Sequence, residues 1–126
     1  RSTAAEARTG DVDLQAIGKR LAAAVDSYEA VVSYIVDEYK RDIRSAFAGS
    51  VPYLKLAGIV HGGWQMARAA LVATRRIGEG SDGEFSRAKL ATARFFADHM
   101  LVTVPSLAES ITGGSVGTLA LAEDQF

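Results

Sequence analysis

One periodicity constrains this chain more than any other feature. Leu14, Ile17, Leu21, Val25, Tyr28, Val32, Ile35, Tyr39 and Ile43 recur at steps of three and four. Steps of that kind place side chains on one face of an α-helix, whereas a strand would alternate at every second residue. The stripe predicts a helix from Leu14 to Ala46, roughly 50 Å long at 1.5 Å per residue. Asp11 or Asp13 is suited to cap its start and Gly49 its end. A chain of 126 residues that spends a quarter of itself on one helix has room for a single helical domain. Composition agrees: 22 residues are Ala and two are Pro, the best and worst helix formers.

The remaining punctuation divides the chain further. Ser50-Val51-Pro52 marks a turn and a new start, because Ser caps helices and Pro is tolerated in a first turn. A second helix is predicted from Pro52 to Ile77. Val60, Trp64, Ala67 and Leu71 form its bulky stripe, and Gly58, Gly62, Ala69 and Ala73 form a stripe of small residues. Glycines 58, 62 and 63 each cost such a helix about 1 kcal/mol relative to Ala. Close approach of a neighbouring helix, backbone on backbone, is the expected compensation.

Gly78 to Gly83 reads as a break, with Ser81 and Glu84 as a capping box for a third helix. Phe85, Ala88, Thr92, Phe95 and His99 share one face of it. Pro105 should interrupt this helix near Val102. A short fourth segment, Ser106 to Thr112, should then end at Gly113-Gly114. Residues 1–10 read as a linker or disordered lead-in, and 11–126 as one domain. The expected architecture is all-α: an up-and-down four-helix bundle with one long first helix.

Chemistry is harder to place. Net charge is −1, so no global field favours nucleic acid or anionic membrane. No Cys is present, which removes disulfides, thiolate metal sites and a cysteine nucleophile. His61 and His99 have no partner ligands at metal-binding spacing, and Asp82 with Glu84 lacks the rest of a calcium loop. Glycines 113, 114 and 117 follow a helix, where a phosphate loop would precede one. No base–nucleophile pair can be drawn. Arg68, Arg75 and Arg76 make a basic face on the second helix, suited to solvent or to an anionic ligand or partner.

Against this background, several blocks are recognisable. Tyr53-Leu54, Gly58 and Gly63-Trp64-Gln65-Met66-Ala67 resemble a helix in the C-terminal domain of the large acyl-CoA dehydrogenases. Lys89-Leu90, Ala93-Arg94-Phe95-Phe96-Ala97, Leu101, Ile111, Gly113 and the terminal Phe126 extend the resemblance over about residues 11–126. It departs where Val-Thr-Val separates Leu101 from Pro105, in place of the family's Leu-Pro pair.

The resemblance implies a parent enzyme that binds FAD and oxidises an acyl-CoA to the 2,3-enoyl-CoA. In that chemistry a carboxylate removes the α-proton and the flavin accepts the β-hydride. The flavin-binding and base residues lie in preceding domains, so none is carried onto this sequence. The chain is then expected to be non-catalytic, to bind no cofactor or metal itself, and to serve packing and subunit association. Implied partners are the catalytic domains of the same polypeptide and further copies in a homo-oligomer, in a cytoplasmic setting, without nucleic acid or a membrane span.

Gly58, Gly62, Gly63, Trp64, Lys89, Arg94, Phe95 and Phe96 are the structural or interface candidates. Loss of Trp64 or Phe95 would cost about 3–5 kcal/mol if the ring is fully buried. The alternative is a free-standing helical protein that binds a ligand or partner through Arg68, Arg75 and Arg76.

Overall fold

The computed structural model describes residues 1–81 and 83–125. Every regular element among them is helical: α1 (Ser2–Arg8), α2 (Val12–Arg41), α3 (Ile43–Ala48), α4 (Ser50–Gly78), α5 (Gly83–His99) and α6 (Val104–Thr118). Short 3₁₀ turns lie at Leu101–Thr103 and Glu123–Gln125. The all-α reading holds, but a count of four helices omits α1 and α3.

The lead-in is the first correction. Ser2–Arg8 is a helix packed on α2, with Ala4 and Ala7 buried. Its seat is Gly18, where an added Cβ would lie 2.9 Å from both the Ala4 carbonyl oxygen and the Arg8 amide nitrogen. The backbone-on-backbone crossing expected at the α4 glycines therefore occurs here. Arg1 fastens the end of α1 to α2 through ion pairs with Asp26, at 2.9 Å, and Glu29.

The long first helix is the second correction. Asp11 caps α2, its Oδ1 accepting the Leu14 amide at 2.9 Å. The helix stops at Arg41 because Asp42 turns extended, with φ −148° and ψ 98°, and caps a new helix. Its Oδ1 accepts the Arg44 amide at 3.1 Å. An Asp side chain that can satisfy local backbone donors competes with helix continuation. The Asp42 carboxyl is held below the usual carboxylate range, first by its hydrogen bond to the Arg44 side chain and then by that amide.

Further along, α4 spans Ser50–Gly78 with Gly49 at its cap position, so Ser50 lies inside the helix. Gly80 takes φ 71°, a left-handed turn conformation that carries no Cβ penalty in Gly. The Ser81 hydroxyl reaches back to the Arg76 carbonyl at 3.4 Å, closing α4 where a capping box for α5 was expected. Asp82 and Phe126, both singled out in the sequence, lie outside the described residues. The chain does leave α5 before Pro105, which falls in the first turn of α6. There it displaces no helix hydrogen bond. Gly113 and Gly114 do not end that helix, which continues to Thr118 with Tyr34 Oη 3.3 Å from Ser115 Oγ.

The core unites Leu14, Ile17 and Leu21 of α2 with Leu56, Ile59 and Val60 of α4, Leu90 of α5, Leu101, and Val104 and Ile111 of α6. Ala67, Ala70, Ala93 and Ala97 add the small buried surfaces of α4 and α5, which pack on one another. No helix among the described residues is long and apolar enough to cross a membrane.

Candidate functional site

Two surface regions stand out among the described residues, an apolar groove along the second half of α2 and a basic trough on α4. In the first half of α2 the bulky stripe faces the core. Beyond Ala24 the fully buried positions are Val31 and Glu38; Val25, Tyr28 and Ile35 of the stripe still pack on the core at partial burial, and its other members lie outside. Val32, Val36, Tyr39 and Ile43 are exposed there, joined by Phe47, Val51 and Leu54 from α3 and the start of α4. Val32, Val36, Tyr39 and Phe47 help line an open groove of about 300 Å³.

Buried Glu38 lies on the opposite side of the same helical turns, with one carboxylate oxygen on Arg41 and the other, Oε2, without a hydrogen-bond partner. Leaving a buried polar atom unpaired typically costs about 1–3 kcal/mol.

The second region is a trough of about 590 Å³ walled by α1, α4 and α5. It brings together the basic face read from sequence, Arg68, Arg75 and Arg76, and adds Lys89 from α5. Arg68 lies over the Trp64 ring at 5.1 Å, and Lys89 over the Phe85 ring at 5.2 Å. Trp64 is itself fixed by Nε1–H donating to Thr3 Oγ1 at 3.1 Å.

The candidate residues separate clearly. Gly63 is buried against Leu101, whose nearest side-chain atom would lie 2.5 Å from an added Cβ. Gly62 lies under the Phe96 ring at 3.3 Å by the same measure, and Phe96 packs on the core. Gly58 has open space where a Cβ would point, so no close approach explains it. Even at Gly62 and Gly63 the close neighbours are side chains, not helix backbone.

Trp64 is 39% exposed and Phe95 63% exposed, so neither meets the condition for a 3–5 kcal/mol loss. Phe95 lies on the outside of α5 beside His99, with ring centroids 4.3 Å apart, because Ser86, Leu90, Ala93 and Ala97 form the buried face. Arg94 bridges elements, donating to Asp98 at 2.6 Å and to Asp13 of α2 at 2.9 Å. The Asp98 hydrogen bond is the leading cause of its raised pKa.

Among the described residues, no three His, Asp or Glu side chains converge as a metal site. His61 instead meets the edge of Tyr28, which stacks on Tyr53 at 6.1 Å. Their hydroxyls are 3.4 Å apart, and this hydrogen bond, with burial, pushes the Tyr53 phenol up from its ordinary value.

These surfaces belong to an all-helical domain with an exposed apolar groove and a basic trough. The chain belongs to the acetyl-CoA dehydrogenase C-terminal-like family, whose pattern matches residues 1–122. It is also 37% identical, over 122 residues, to a 3-methylmercaptopropionyl-CoA dehydrogenase of Ruegeria pomeroyi. The match covers 95% of this chain and 21% of that relative, so the chain spans about a fifth of the relative's length.

Proposed function

We propose that this chain is the C-terminal, non-catalytic helical domain of an FAD-dependent acyl-CoA dehydrogenase, a cytoplasmic enzyme that oxidises acyl-CoA to 2,3-enoyl-CoA. Its work is packing and subunit association, with the long helices α2, α4, α5 and α6 as an up-and-down bundle that presents the docking face. Family membership supports the parent activity, and the bare apolar stripe on α2, α3 and α4 carries the role. Val36, Tyr39, Phe47, Val51 and Leu54 are each about half or more exposed, and burying a side chain of this size contributes roughly 1.5–3 kcal/mol.

The residues here do not fit the flavin. A cofactor site is concave and buries most of its ligand. The apolar groove and the 590 Å³ trough are both open to solvent, and the trough is rimmed by side chains on exposed helix faces. No step of the oxidation is therefore assigned to this chain, and its catalytic residues belong to the remaining polypeptide.

The test is Tyr39→Ser with Phe47→Ser in the full-length enzyme. The expected result is unchanged helicity of the domain, with subunit dissociation in sedimentation or faster proteolysis ahead of residue 1. Unaltered assembly together with unaltered protection would overturn the docking role.

A further inference from the structure

The trough between α1, α4 and α5 has a composition that packing of the domain does not require. Arg68, Val72 and Arg75 follow one another at steps of four and three on α4, so they share a face. Phe85 and Lys89, four apart on α5, form the facing wall. Arg75 and Arg76 suit the negative end of the α4 dipole, but Arg68 lies well before the last turn and Lys89 on another helix.

Among the described residues, Arg68, Arg75 and Lys89 meet no carboxylate at ion-pair distance, whereas Arg1, Arg41, Arg44 and Arg94 each do. The carboxylate in the lining, Glu6, forms no ion pair with them. In a chain of net charge −1, this is a local concentration of positive charge. Two of the cations lie over aromatic rings, which limits their freedom before any ligand arrives. The far end of the trough reaches the first turn of α5 at Phe85 and Ser86, the positive end of that helix.

We infer that this trough binds an organic phosphate, with phosphate oxygens on Arg68, Arg75 and Lys89 and a flat or apolar portion against Phe85 and Val72. A nucleoside diphosphate is the simplest molecule with both parts. Arg provides paired donors to phosphate, and Lys a mobile point charge beside them. The site goes beyond the docking role and does not depend on it, since the apolar face uses a different set of residues.

Calorimetric titration of the 126-residue chain tests it, with ADP, pyrophosphate, adenosine and polyglutamate as probes. ADP should bind saturably, more tightly than pyrophosphate and more weakly as salt rises, and adenosine and polyglutamate should not bind. Arg75→Gln with Lys89→Gln should weaken ADP on the order of tenfold per cation removed. Glu6→Gln should tighten it by removing a like charge from the rim. All these positions are exposed, and circular dichroism checks that helicity is kept.

Pyrophosphate binding as tightly as ADP would overturn the organic portion of the site. No saturable ADP binding, or an unchanged affinity in the double variant, would overturn the site itself. Binding of polyglutamate without ADP would replace it with an acidic protein partner.

Discussion

The two halves of α2 carry the same apolar stripe and meet opposite fates. Leu14, Ile17 and Leu21 are buried in the core, while Val32, Val36 and Tyr39 face outward, with Ile43 beside them at the start of α3, and Val25, Tyr28 and Ile35 keep partial contact with the core. Nothing in the residue types separates them. The second half buries Val31 and the carboxylate-bearing Glu38 fully, with Tyr34 and Ile35 only partly covered, and Asp42 ends the helix before the stripe is complete. The first half is a core face, and the second carries the exposed surface on which the proposed docking role rests. Periodicity reports that a face is apolar, not which surface covers it.

That contrast can be broken by substitution. Leu21→Ala should produce the largest loss, about 2–5 kcal/mol in denaturant unfolding, because it opens a cavity at a fully buried position. Tyr39→Ala in the isolated chain should stay within about 0.5 kcal/mol, since its ring is 61% exposed. Equal losses at the two positions would mean that the second half is buried after all.

The glycines sharpen the comparison at the next level. Gly18→Ala in the first half should cost about 1–3 kcal/mol, because the new methyl meets the α1 backbone. Gly58→Ala on α4, with open space at its Cβ, should stabilise by about 0.5–1 kcal/mol. Thermal melting of both variants reads the difference. A tolerated Gly18→Ala would show that α1 is not seated there.

The smallest effect concerns the end of the second half. The Asp42 carboxyl is held below its ordinary value by Arg44, so it contributes stability above the unfolded value and loses it as pH falls through the lower folded one. Asp42→Asn keeps a capping oxygen but removes that charge. The variant should be slightly less stable than the parent at neutral pH and converge with it at acid pH, so that the acid limb of the stability profile flattens. An acid limb identical to the parent chain would deny Asp42 this role.

Much of the fold was legible. Helix periodicity locates α2, α4 and α5, and of the two Asp suited to cap α2 it is Asp11 that accepts the Leu14 amide. The break before Pro105 also fell where a ring without an amide hydrogen requires it. The candidate surfaces were read in fragments. Arg68, Arg75 and Arg76 were grouped on one helix, but Lys89 joins them from another, and that meeting depends on how α4 and α5 pack. Gly18 passed unremarked because a single Gly in a good helix resembles a tolerated defect until a partner helix crosses it. The α1 signal was present in Ala4 and Ala7, yet seven residues are too few for a periodic pattern to distinguish helix from lead-in.

By itself the sequence determined that this protein is helical, where its principal helices run, and that its residues resemble a domain whose partner carries the chemistry. Those properties follow from local spacing, propensity and residue identity, which each segment expresses on its own. Only the tertiary structure decided which apolar residues became core, which glycine was required, and which cations met across a trough. Those outcomes depend on the relative placement of helices far apart in the chain, and no single helix encodes what will lie against it.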